Sequence, residues 1–138
     1  MSGAPFPKSS RVCKRRDYER VQRGGARVAC PSFVLLCGLQ PPSGAGGPGT
    51  KTPPAARLGL VASRRVGPAV ARNRAKRLVR EWFRHRACEL PLGIDLVVIL
   101  RARAASLGLG AVQTELDAAL PELRRRAARL AERQPGPP

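Results

Sequence analysis

The stretch ARNRAKRLVREWFR, residues 71–84, constrains this chain more than any other: six basic side chains and one acid share it with Leu78, Val79, Trp82 and Phe83. At about 100° per residue, a helix gathers Ala71, Ala75, Leu78, Val79 and Trp82 on one side. Arg72, Asn73, Lys76, Arg77, Arg80 and Arg84 gather on the other, and Phe83 falls at the boundary. The apolar stripe requires a sheet to cover. The basic face sets like charges at i, i+4 spacing, which costs stability in isolation, so a partner outside the chain is expected to neutralise it. Gly67 and Pro68 suit a helix start, since the first turn has no use for the N–H that proline lacks, and the helix is predicted to run to about Cys88, before Pro91.

The other segments supply what such a helix must cover. KRRDYERVQ, with Tyr18 and Val21 three apart and Gly24–Gly25 behind it, predicts a short first helix over 14–22. VACPSFVLLCGL is rich in β-formers but interrupted by Pro31, which predicts a short edge segment and then a strand over 32–39. RLGLVASRR predicts a strand over 58–63. GIDLVVILR is a continuous apolar run, as in a strand covered on both faces, and is placed centrally or parallel in the sheet. From Ala111 the composition is helical, with a kink or restart expected at Pro121. The order implies an α/β (α+β) two-layer fold.

At 138 residues the chain is one domain's worth of sequence. A single domain over 11–133 is expected, with disordered tails at 1–10 and 134–138 and a flexible Pro/Gly-rich loop at 41–56, where PPSGAGGPGTKTPP cannot bury enough surface to order itself.

Twenty-six Lys and Arg against nine Asp and Glu give a formal charge of +17 and a pI near 11.7, which draws the chain to polyanions. Between Arg57 and Arg86 ten basic residues meet one acid, +10 − 1 = +9, so over half of the charge sits in 30 residues. A solvated face ordinarily interleaves both signs, so phosphate binding is the reading preferred here. No apolar run approaches the roughly 20 residues of a membrane span, and no apolar signal segment is seen at the N-terminus, so a cytoplasmic protein without a membrane partner is expected. Cys13, Cys30, Cys37 and Cys88 lack the paired spacing of zinc sites and are expected to be reduced thiols.

Hydrolytic chemistry finds little support. A metal-dependent nuclease needs several carboxylates held together, whereas Asp17 and Glu19 lie on different sides of a helix and Glu81, Glu89 and Asp95 form no motif. His85, the one histidine, sits between Arg84 and Arg86 with no evident partner. No catalytic residue and no protein-held metal are expected.

The segment RLGLVASRRVGPAVARNRAKRLVREWFR, residues 57–84, closely resembles the protein subunit of bacterial ribonuclease P, whose signature is a strand, a Gly-containing turn and RNR..KR..RE on a helix. The likeness runs from about Val12 to Leu123, with DYERVQRGG similar to the family's first helix, FVLL to its next strand and DLVVILRARAA to its last. It implies an α-β-β-β-α-β-α fold, like the second domain of ribosomal protein S5, with a left-handed crossover around the long helix that general topology rules would not have chosen. It also implies the function: assisting a catalytic RNA that, with Mg²⁺ held mainly by the RNA and its substrate, removes the 5′ leader of precursor tRNA.

The partners implied are therefore the catalytic RNA and precursor tRNA, with no obligate protein partner. Carried over residue by residue, Arg72, Asn73, Arg74, Lys76, Arg77, Arg80 and Arg84 are expected on the RNA, Arg74 serving a neighbouring surface, with Arg64 and Arg65 nearby in the preceding turn. Tyr18, Phe33 and Leu36 are expected to form a cleft for the leader, Tyr18 stacking on a base at about 1–3 kcal/mol. The family often carries aromatics where this chain has Gln22 and Leu36, which predicts weaker stacking. Two other readings share the charge: a ribosomal or other structural RNA-binding protein, and a basic helix lying on anionic membrane, which would need its apolar face exposed.

Overall fold

The computed structural model describes residues 15–40, 56–91 and 93–133. The tails expected at 1–10 and 134–138, residues 41–55 of the expected loop, and Cys13 lie outside the described residues.

Four strands form one mixed sheet in the order β1-β2-β4-β3. They are β1 (Ala26–Ala29), β2 (Phe33–Leu39), β3 (Arg57–Ala62) and β4 (Ile94–Leu100). β1 and β2 make an antiparallel hairpin in which Pro31 occupies the turn, where its missing donor costs the ladder nothing. β4 is central, antiparallel to β2 from Phe33↔Leu100 to Leu39↔Ile94 and parallel to β3 from Arg57↔Asp95 to Ala62↔Leu100. A parallel pair needs a crossover, and helix α2 (Ala69–Arg86) supplies it between β3 and β4.

Alternation along β2 sorts the two faces of the sheet. Phe33, Leu35 and Cys37 enter the larger core beneath α2 and α3 (Leu109–Arg133), with Leu96, Val98 and Leu100 of β4. Val34, Leu36 and Val97 face the other way and pack on Val21 of α1 (Arg15–Gly24). The sheet with α2 and α3 forms the expected pair of layers, and α1 lies on the opposite face. The periodicity of α2 places Ala75, Val79 and Trp82 in the core as expected, and Phe83, assigned to the boundary, is fully buried too.

The restart expected at Pro121 does not occur: α3 is a single helix through that residue. Leu116, Leu120, Leu123 and Ala127 are buried on both sides of the proline, and this continuous apolar contact with the sheet outweighs the lost backbone bond. Cys30 and Cys37 are buried free thiols and Cys88 is exposed. Burial pushes the Cys37 thiol up to about 12, with the nearby Asp95 carboxylate adding to the effect, so it acts as an apolar filler.

Candidate nucleic-acid interface

The approach to α2 is a 3₁₀ turn over Arg64–Val66, in which the Ser63 hydroxyl accepts from the Arg65 N–H and Val66 is buried. Gly67 follows at φ 143°, a conformation that L side chains rarely adopt, and lets the chain turn into Pro68 and the helix. With Val66 anchored inward, Arg64 and Arg65 are left exposed beside the first turns of α2.

Asn73, Arg74 and Arg77 of α2 are exposed, and Arg72, Lys76 and Arg80 are half-buried along the seam between the two faces. Among the described residues, the side chains of Arg64, Arg65, Arg72, Asn73, Lys76 and Arg77 make no hydrogen bond or ion pair with one another or with the rest. The Arg72 Nε is buried with no acceptor among the described residues, a costly state unless a ligand supplies one. Arg74 turns aside, donating from Nη1 to the Leu107 carbonyl at 3.1 Å. The helix carries no acid before Glu81, so the field of this end is uniformly positive.

Arg84, also expected on the RNA, is paired within its own helix. Its Nη2 donates to both oxygens of Glu81, at 2.6 and 2.7 Å, because i, i+3 spacing brings the two side chains together. Its charge is balanced within the helix. Arg86, two residues on, donates to Glu89 at 2.9 Å and to Asp117 of α3 at 3.1 Å, and Asp117 also accepts from the buried Trp82 Nε1 at 2.8 Å.

A groove of about 590 Å³ opens between α1 and the outer end of β3, lined by Tyr18, Glu19, Gln22, Leu60, Val61, Ala62 and Lys76. Tyr18 reaches across Gly59, where a Cβ would meet its ring at 2.8 Å, so the missing side chain is what lets the aromatic lie close to the strand. Of the three cleft residues expected, Tyr18 alone lines this groove. Leu36 points to the correct face but is 8% exposed beneath Val21, and Phe33 points to the opposite face and is 0% exposed in the main core. The two-residue period of β2 separates Phe33 from Leu36, whereas Tyr18 and Gln22, at i, i+4, share the groove flank of α1. That spacing was a signal for Gln22. Lys76 joins the groove to the basic face, a double placement that only the packing of α2 beside β3 reveals.

Asp95 is 0% exposed and held by two arginines. Arg57 donates from Nε and Nη2 to its two oxygens, both at 2.7 Å. Arg20 of α1 adds a bond from Nη2 at 2.7 Å and donates from Nε to the Leu39 carbonyl at 3.1 Å. No local sequence pattern signals this cluster, because its members are brought together by three different elements.

Among the described residues the carboxylates do not fit a magnesium site. Glu81, Glu89, Asp95, Asp117 and Glu122 each already meet arginine donors, and Glu115 accepts from the Ser32 N–H at 2.7 Å. Among the described residues no group of three His, Cys, Asp or Glu is placed to hold a metal ion, and none of the helices is long and apolar enough to cross a membrane. What the surface offers is a cationic helix end joined by Lys76 to a groove with an aromatic wall, an arrangement suited to phosphates and unpaired bases.

Known proteins share this fold. The profile of the family described as Ribonuclease P matches residues 6–124. The ribonuclease P protein component of Oleidesulfovibrio alaskensis is 37% identical over 114 residues, covering 83% of this chain and 80% of its own. That of Citrifermentans bemidjiense is 30% identical over 128 residues, covering 93% of this chain and 100% of its own. Among solved structures, the RNase P protein of Staphylococcus aureus superposes with a TM-score of 0.71 at 28% identity, over 86% of this chain and 99% of that one. The RNase P protein of Thermotoga maritima gives 0.66 at 29% identity, over 81% and 96%.

Proposed function

This chain belongs to the ribonuclease P protein family, and from that premise we propose that it binds the catalytic RNA through the first half of α2 and the 5′ leader of precursor tRNA through the groove beside α1. The observation that carries the reading is the set of cations at one end of α2 with no counter-charge among the described residues. Arg64, Arg65, Arg72, Lys76 and Arg77 meet the phosphates of the folded RNA, and the buried Arg72 Nε finds its acceptor there. Tyr18 stacks on a leader base, and Lys76 neutralises the leader backbone where it passes toward the RNA.

In this reading the protein supplies no reacting group. It lowers the repulsion between two polyanions and holds the leader in place, while the divalent ions and the hydrolysis of the phosphodiester belong to the RNA and its substrate. As part of the same proposal, the protein acts where precursor tRNA is processed, in the cytoplasm.

Cleavage of a precursor tRNA by the cognate catalytic RNA at low Mg²⁺, with and without the protein, is the direct test. Strong stimulation is expected. Its absence would favour a structural RNA-binding role instead. With about six phosphates neutralised, affinity for the catalytic RNA should fall by roughly 10³ between 50 and 200 mM salt, measured by filter binding.

A further inference from the structure

We infer that the Arg20–Asp95–Arg57 cluster is a positioning device that fixes the stance of α1 and thereby sets the width of the leader groove. The inference rests on the leader-binding reading of that groove.

Arg57 alone balances the buried carboxylate, giving it two short hydrogen bonds within the sheet. Asp95 and Arg57 are register partners on adjacent parallel strands, so the carboxylate is anchored without any help from α1. Arg20 is therefore surplus to neutralisation. What it adds is a tie between the helix and the sheet, made twice over: to Asp95 and to the Leu39 carbonyl at the end of β2.

α1 needs that tie. A helix of 10 residues is too short to be stable by itself, so its position depends on tertiary contacts. Val21, 0% exposed, seats it over Gly38, a pivot near the middle of the helix. Gln22 and Arg20 are two residues apart, about 200° around the axis, so they occupy opposite flanks. The Tyr18, Glu19 and Gln22 flank forms one wall of the groove, facing Leu60, Val61, Ala62 and Lys76. The Arg20 flank faces the other end of the strands, where Arg57, Asp95 and Leu39 lie. The tie at Arg20 fixes the opposite flank in the stance that seats Tyr18 against Gly59 of β3. Without it, α1 can roll about Val21 and move Tyr18 from its seat over Gly59.

The test uses the holoenzyme with two precursor substrates, one with a leader of several nucleotides and one with a single-nucleotide leader. Arg20→Ala leaves Asp95 paired with Arg57, so no buried charge is stranded and the fold is retained. The variant is expected to raise KM for the long-leader substrate about tenfold with kcat unchanged, and to leave the short-leader substrate alone. Arg20→Lys keeps the charge but cannot make both bonds, and should fall between wild type and Arg20→Ala. Amide exchange should quicken in α1 and not in α2. Equal KM values for Arg20→Ala and wild type on the long leader, or an equal rise on both substrates, would overturn the inference. A wild-type enzyme indifferent to leader length would overturn the leader reading itself, and this inference with it, before any variant is made.

Discussion

The two halves of α2 carry similar numbers of cations and treat them in opposite ways. In the first half Arg72, Lys76 and Arg77 have no counter-charge among the described residues. In the second half Arg84 sits on Glu81, and Arg86 on Glu89 and Asp117. α3 repeats the second pattern, with Arg125 and Arg126 both on Glu122. A count of arginines therefore says little about where RNA binds. Charge left uncompensated by the fold is what marks an interface, because only those groups gain a new ionic partner on association.

The contrast can be broken most sharply from the free end. Arg72→Ala combined with Arg77→Ala should make the log–log salt dependence of catalytic-RNA binding shallower by about two units, with the thermal unfolding midpoint unchanged. Unchanged slopes would show that these cations are solvated only.

From the paired end the effects should reverse. Asp117→Ala strands the buried Trp82 N–H and leaves Arg86 with Glu89 alone, and should cost about 2 kcal/mol in urea denaturation while leaving the salt slope as it was. Asp117→Asn, which keeps an acceptor for Trp82, should recover most of the loss.

The smallest effect concerns pH. A hydrogen bond from His85, and next those from Arg84, hold the exposed Glu81 carboxyl below the usual value of 4.5. A depressed pKa stabilises the fold above the unfolded value and ceases to do so as pH falls through the folded one. The small difference in urea midpoint between wild type and Glu81→Gln should therefore be present at pH 7 and shrink as pH falls below that usual value. A difference undiminished by acid would place the contribution of Glu81 outside its charge.

Much of this was open to a reading of residues alone. The spacing in 71–84 separates the faces of α2, and the unbroken run Leu96–Leu100 marks the central strand, because helical and strand periods are local properties. Periodicity puts Arg84 on the basic face and does not say that it will also pair with Glu81. Phe33 and Leu36 were grouped as cleft residues although odd and even positions of one strand face opposite layers.

What the sequence determined, then, is the set of elements and the sign and placement of the charge, which follow from composition and short-range spacing, and, through the resemblance of residues 57–84, the family. The tertiary structure decided which of those charges are spent inside the fold. Arg86 and Asp117 are 31 residues apart, and Arg20 and Asp95 are 75 apart. Their pairing depends on where α3 and α1 come to rest on the sheet, and no local period carries that information.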